Sequence, residues 1–508
     1  MVAGLDLDRH PPDPSLANWL PESLMRRHQL CPARREAAHI VVAMAQPDDP
    51  LAREALNFAS QHTVHIEYAD AQQIERGINQ LIGLNHGLEQ AAQALKTGSS
   101  ADQDRNVVAF VDELLQTAWR REASDIHIEP QEHDCRIRLR IDGELSPCAE
   151  VPAGISAQLV TRLKVMANLD IAERRLPQDG RIHFALGEDR HCDRHCACHC
   201  ACHCDYRVAS CPTLHGEKLV LRRLDTLSQL PELSTLGLNC AQQHHLESAL
   251  AARSGMVLVT GPTGSGKTVT LYSALAQLDP QRLNIATVED PIEIRMPGLN
   301  QVEHAPKAGL SFAVALRAFL RQDPDVLMVG EIRDQATAEI AVRAAQTGHL
   351  LLSSLHSEEA CSAVARLRNL GIPAYNLVAT LRLVIAQRLM RRLHHCCRPY
   401  QPTANQLRQH GFSQEELDGC LASGVSLYQP VGCAQCHQGY RGRVGAFEVL
   451  PISATMMTQI MAEQPAAALR EQARREGITD LRQAARAHVL SGITSLDELQ
   501  RLGLPTLH

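Results

Sequence analysis

The chain has 508 residues, room for roughly three or four domains with full cores, and 44% of them are hydrophobic, an ordinary globular content. A net charge of −7 supplies no global basic field and argues against a nucleic-acid partner. Met1–His10 is acidic and lacks an apolar signal region, and no run of about 18 apolar residues occurs, so neither a secretory signal nor a membrane span is expected.

Residues 1–100 read as a small separate domain. Leu16–Leu30, Asp49–Ala59 and Ala71–Leu95 have helical character, and His39–Ala45 (HIVVAMA) reads as a buried strand. Thr97–Asp102 is a polar linker. Nothing in this domain points to chemistry, and its position before the remaining domains suits docking. Residues 106–225 form a second unit. Val107–Trp119 is amphipathic, and Ile126 and Ile128 alternate with His127 and Glu129. Cys135–Ile141 alternates strictly and ends at Asp142-Gly143, a hairpin signal. Ile155–Met166 reads as a helix and Lys218–Leu224 as a closing strand.

Residues 232–392 alternate strand and helix. Val257–Val259 is a short apolar strand, and Thr268–Leu278 has a helical pattern. Between them, Gly261-Pro262-Thr263-Gly264-Ser265-Gly266-Lys267-Thr268 fits G-x-x-x-x-G-K-[ST]. Such a loop turns its backbone N–H groups inward around phosphate, with the helix N-terminus behind them. Lys267 would reach the β- and γ-phosphates, and Thr268 would ligate Mg²⁺. A glycine turn between strand and helix accounts for the glycines but not for the Lys-Thr. Further strands are expected at Asn284–Val288, Asp325–Gly330 and His349–Leu355. They run into Glu289, Glu331 and His356, at the sheet edge where α/β folds bind ligands. Residues 393–450 hold a cysteine element, and 451–508 are helical, with Gly492 as a stop.

TGPTGSGKT, ATVEDPIE, LRQDPDVLMVGEIRD and AAQTGHLLLSSLH, in this order, resemble the secretion ATPases. SDIHIEP, RRLPQDGR, PTLHGEKLVLRR and GCAQCHQGYRGR place the resemblance, over roughly residues 106–490, in the assembly branch of type II secretion and type IV pilus ATPases. It implies an α/β fold: a RecA-like P-loop ATPase core preceded by an α+β, PAS-like domain and a small N-terminal α/β domain, with a zinc insertion and a helical C-terminal part. It also implies a cytoplasmic homohexamer, peripheral on the inner membrane, that works with a platform protein and a docking protein. ATP hydrolysis in such a ring powers pilin or pseudopilin assembly. An ATP-binding scaffold of the same apparatus with little turnover is the alternative.

The resemblance makes Glu289 the general base and Glu331 the Walker B acid. His349 and His356 fill a histidine box that senses the γ-phosphate. Arg181 and Arg207 in the second unit, with Arg317 and Arg321 ahead of the third core strand, are candidates for neutralising charge on the γ-phosphoryl group. After His356 the family usually continues Thr-Asn, whereas this chain has Ser357-Glu358.

Seventeen cysteines without a secretory context are no disulfide framework. The family's paired C-x-x-C pattern binds Zn²⁺. Here Cys433-Ala-Gln-Cys436 is intact, but the first half reads Leu393-His-His-Cys-Cys-Arg398. Alignment on its ends gives a structural Cys₃His site from His394, Cys397, Cys433 and Cys436, with Cys396 or His395 as substitutes after a small shift. A second cysteine-rich tract, His191–Tyr206, repeats a four-residue unit (HCDR-HCAC-HCAC-HCDY). It reads as a repeat expansion in a loop, or else as a soft-metal tract.

Overall fold

A computed structural model of the chain describes residues 102–185, 203–224, 230–412, 426–433 and 436–503, together with most of residues 5–97. The chain divides into two compact units. One is Met1–Asp225 with Leu393–Arg398 and Gln429–Gly442. The other is Thr226–Arg392 with Pro399–Tyr428 and Arg443–His508.

The first unit opens with a three-stranded sheet of β1 (Leu30–Arg35), β2 (Ile40–Met44) and β3 (Val64–Tyr68). β2 is the expected strand and is buried throughout. β1 was not expected, because its proline and two arginines hide the alternation. Of the helix expected over Leu16–Leu30, the described helical part is Glu22–His28, and Gln29, at φ 47°, ends it. Asp49 caps the helix Pro50–Ala59 by accepting from the Leu51 N–H. Of the helix expected over Ala71–Leu95, the best-described part is His86–Thr97.

Then comes a six-stranded sheet of β4 (Asp125–Pro130), β5 (Asp134–Ile141), β6 (Glu144–Pro152), β7 (Gln178–Ala185), β8 (His203–Thr213) and β9 (Gly216–Leu224). The order is β6-β5-β4-β9-β8-β7, with antiparallel pairing. Asp142 and Gly143, both at positive φ, make the expected hairpin between β5 and β6. Alternation decides which face is dry. Ile126, Ile128, Ile137, Leu139, Leu219 and Leu221 are buried against the helices Gln103–Arg120 and Ala153–Met166. The opposite face carries ion pairs. Burial opposes ionisation of Glu129, but hydrogen bonds from Arg138 and Lys218 overcome it and hold the carboxyl at about 2. The tandem Cys/His tract lies outside the described residues until His203, where β8 begins.

The second unit is built on a seven-stranded sheet. Its strands are β10 (Gly255–Thr260), β11 (Ile285–Glu289), β12 (Asn300–Glu303), β13 (Val326–Val329), β14 (Leu350–Leu355), β15 (Leu381–Leu393) and β18 (Tyr440–Pro451). The order is β12-β11-β13-β14-β10-β15-β18, and the pairs from β12 to β15 are parallel. Two short strands, β16 (Arg398–Tyr400) and β17 (Leu427–Gln429), pair elsewhere. Both faces of the large sheet are covered. Met256 and Leu258 belong to one apolar cluster, Val257 and Val259 to another. Burial on both faces is why these strands read as continuous apolar runs.

β15 was not anticipated. Its four arginines make it look like a solvated segment, yet it pairs with the central strand β10. The C-terminal part is helical as expected, through Ala454–Met461, Ala466–Arg475, Leu481–Leu490 and Leu496–Arg501. Gly492, at φ 73°, follows the third of these. Among the described residues no helix is long and apolar enough to cross a membrane.

Candidate functional site

β10 ends at Thr260, and the chain turns through Gly261, Gly264 and Gly266 at φ 152°, 79° and 88°. A side chain is excluded at Gly261, where a Cβ would stand 2.6 Å from both Gln387 O and Ser265 Oγ. The helix Lys267–Leu275 starts directly behind the loop. Pro262, Thr263 and Ser265 complete the turn, with the Ser265 N–H donating to Pro262 O. Lys267 Nζ donates to Gly261 O at 2.8 Å and Pro262 O at 3.0 Å, which folds the ammonium over the loop. Burial, with the Arg388 guanidinium adding to it, pushes the Lys267 amine down to about 8. Thr268 follows in the first helical turn.

Three acidic or basic groups stand at the same C-terminal sheet edge. Glu289 is the last residue of β11 and only 3% exposed. It accepts from the Tyr272 hydroxyl, from Thr287 Oγ1 at 2.6 Å and from Gln301 Nε2 at 3.3 Å. Burial and the Glu289 carboxylate both push the Tyr272 phenol upward. Glu331 lies just past β13 and meets His356 Nε2 at 3.0 Å and the Arg333 guanidinium. Arg333 also reaches Asp290 at 3.4 Å. Burial, with the charges of Lys267 and Arg333, lowers the His356 imidazole and favours its neutral form. The loop after β14 is tied to β10 by Thr260 Oγ1, 2.7 Å from Ser357 Oγ.

The sequence reading missed the groups that brace this edge. Tyr272 and Thr287 sit in apolar stretches, and only a polar residue facing a charged one in three dimensions marks them. Gln387 on β15 receives Thr270 Oγ1 at 2.8 Å and donates to Ser265 O at 2.5 Å, so it holds both the loop and its helix. The one sequence signal was Gln387-Arg388 interrupting an apolar run.

The expected histidine pair is split. His356 is beside Glu331, but His349 precedes β14 at the opposite edge, with Nδ1 2.9 Å from Ala344 O. Six strand residues separate the two, roughly 20 Å, because a strand advances about 3.3 Å per residue. Arg317 and Arg321 are exposed, and Arg321 Nη1 is turned onto Arg317 O at 2.8 Å. In the first unit, Arg181 and Arg207 are exposed cross-strand neighbours on β7 and β8, with Arg207 3.4 Å from Asp179.

The cysteine cluster corrects one expected ligand. His394, Cys396, Cys433 and Cys436 place their donor atoms within 4.8 Å of one another, and Cys397 is not among them. His394 Nδ1 is 3.3 Å from Cys433 Sγ and 3.4 Å from Cys396 Sγ, and the Cys396 and Cys436 sulfurs are 3.7 Å apart. A tetrahedral zinc with bonds of about 2.3 Å to sulfur needs ligand atoms about 3.8 Å apart, so this donor set fits the metal. The reason is local: Cys397 N–H closes a turn onto His394 O, which puts Cys396 on the side of the cluster. Within the unit, His437 Nε2 is 2.9 Å from Ser146 Oγ, and Arg398 pairs with Glu36 at 2.9 Å.

A phosphate cradle and carboxylates on one edge of a parallel sheet serve phosphoryl transfer to water, and they define a P-loop ATPase. The chain belongs to the type II/IV secretion system protein family, whose model matches residues 100–501; an MshEN domain model matches residues 2–88. It is 40% identical over 498 residues to the type IV pilus assembly ATPase PilB of Pseudomonas aeruginosa, an alignment spanning 95% of this chain and 85% of that protein. It is 42% identical over 403 residues to type II secretion system protein E of Klebsiella pneumoniae, spanning 79% and 77%. Among solved structures, the X-ray structure of the Legionella pneumophila ATPase DotB superposes with a TM-score of 0.53 at 21% identity, over 77% of this chain and 95% of that one. That likeness bears on the fold alone.

Proposed function

We propose that the chain is the hexameric ATPase that powers pilin or pseudopilin assembly, peripheral to the inner membrane through a platform protein and a docking protein. The observation that carries this reading is the convergence of Lys267, Glu289 and Glu331 on one edge of a sheet whose family is that of pilus and secretion ATPases. Lys267 would leave the loop carbonyls to neutralise the β- and γ-phosphates. Thr268 and Glu331 would hold Mg²⁺, which supplies charge neutralisation on the phosphates when bound. Glu289 would orient and deprotonate the attacking water, its carboxylate aimed by Tyr272 and Thr287. His356, neutral beside Glu331, is suited to report on the terminal phosphate. The exposed positions of Arg181, Arg207, Arg317 and Arg321 suit action on a neighbouring subunit's nucleotide. His349 has no such support and serves the start of β14. His394, Cys396, Cys433 and Cys436 would hold one structural Zn²⁺, with no open position for chemistry.

The test is steady-state ATP hydrolysis by the full chain beside Lys267→Ala and Glu331→Gln, with molar mass measured by light scattering. Turnover that both substitutions abolish, in a particle of six chains, is the expected result. A wild-type chain that binds ATP without hydrolysing it would overturn the motor and leave a scaffold.

A further inference from the structure

β15 runs past the phosphate-binding loop on the side away from β14. Its register with β10 pairs Thr260 with Ala386, so the next residues flank the loop itself. Gln387 O lies against Gly261. A Cβ on Gly266 would meet Gln387 Nε2 at 3.0 Å and Leu389 Cδ1 at 3.3 Å. Arg388 lies between them in sequence, and strand alternation sends its side chain to the opposite face of β15. Its Nη1 is buried and meets no hydrogen-bond partner, and Ser265 Oγ in the loop is in the same condition. A buried guanidinium nitrogen without an acceptor is costly, because desolvation is not repaid. The guanidinium also stands close enough to Lys267 to help push that amine down. The acids that face Arg388 are Glu358 and Glu359. Glu359 is committed to Arg470, at 2.5 and 3.0 Å, which leaves the exposed Glu358 as the nearby counter-charge.

We propose that Arg388 is a phosphate-binding residue of the nucleotide site, supplied by the same chain as Lys267, whose orphaned Nη1 donates to a β- or γ-phosphate oxygen of bound ATP. This rests on the ATPase reading of the loop. The chemistry needs no covalent step: a dispersed cation and a point cation hold one polyphosphate, the first by directional hydrogen bonds and the second by charge. Glu358 competes with the phosphate for the same guanidinium.

The experiment is displacement of a fluorescent methylanthraniloyl-ATP from the full chain by ATP, ADP and AMP. Wild type, Arg388→Gln, Arg388→Lys, Glu358→Gln and Lys267→Ala are compared, with the thermal midpoint of each recorded. Arg388→Gln is expected to weaken ATP by about tenfold, the loss of one charge-assisted contact of about 1.4 kcal/mol. AMP affinity and the thermal midpoint should hold, Arg388→Lys should recover part of the loss, and Glu358→Gln should tighten ATP. Unchanged ATP affinity in Arg388→Gln, or an equal loss for AMP, overturns the proposal. If Arg388→Gln lowers the midpoint, Glu358→Gln decides: unchanged or weaker ATP binding overturns it. Lys267→Ala separates the two readings, since binding that survives that change sinks the phosphate loop itself.

Discussion

The hydroxyl of Tyr272 donates to the carboxylate of Glu289, joining the helix behind the phosphate-binding loop to the strand that carries the candidate base. The loop's helix cannot shift without disturbing that carboxylate.

Tyr272→Phe removes this donor and leaves Glu289 with Thr287 and Gln301. The expected outcome is kcat lowered by roughly tenfold with ATP affinity nearly unchanged, because the contact aims a reacting group and binds no substrate. Stability should fall by about 1 kcal/mol for one lost buried hydrogen bond. Steady-state kinetics with a melting curve checks both, and a rise in KM at constant kcat would contradict the assignment.

Nucleotide binding should depend on the charge of Lys267. Its amine titrates near 8 in the free protein, and a polyphosphate beside it favours the ammonium. The free protein therefore loses the proton as pH rises through 8, while the complex retains it. Kd for ATP should rise by about fivefold between pH 8 and 9, with proton uptake on binding. Calorimetry in buffers of different ionisation enthalpy measures this, and a flat Kd over that range would count against it.

Cys396 and Cys397 differ in consequence although they are adjacent. Cys396→Ser should empty the metal site and Cys397→Ser should leave it filled, as measured by metal content of the purified chain. Removing the metal with a chelator should lower the melting temperature of wild type and of the Cys397 variant alike, since folding and binding share one free energy. Equal zinc loss in both variants would contradict the ligand set.

Glu448 on β18 is buried, and burial raises its carboxyl to about 7, with the Ala360 N–H its hydrogen-bond donor at 3.4 Å. The unfolded chain releases this proton near 4.5, so between 4.5 and 7 the folded state binds more protons and stability falls as pH rises. Above 7 the full penalty applies, about 3 kcal/mol at most. Glu448→Gln should therefore raise stability at pH 8 and have little effect at pH 4.5. Denaturant unfolding at the two pH values checks the sign.

Much of this was legible in the linear chain. The phosphate-binding loop, the strands ending in Glu289 and Glu331, the β5–β6 hairpin and the Cys433/Cys436 pair all follow from spacing along a few residues, where turn chemistry and side-chain period are local. What only the tertiary structure decided was which strand lies beside which. The insertion of arginine-bearing β15 next to β10 brings Gln387 and Arg388 to the loop. The turn closed by Cys397 selects Cys396 for the cluster. Each outcome depends on a contact between residues far apart in sequence or on a backbone turn, and one-dimensional periodicity carries no record of either.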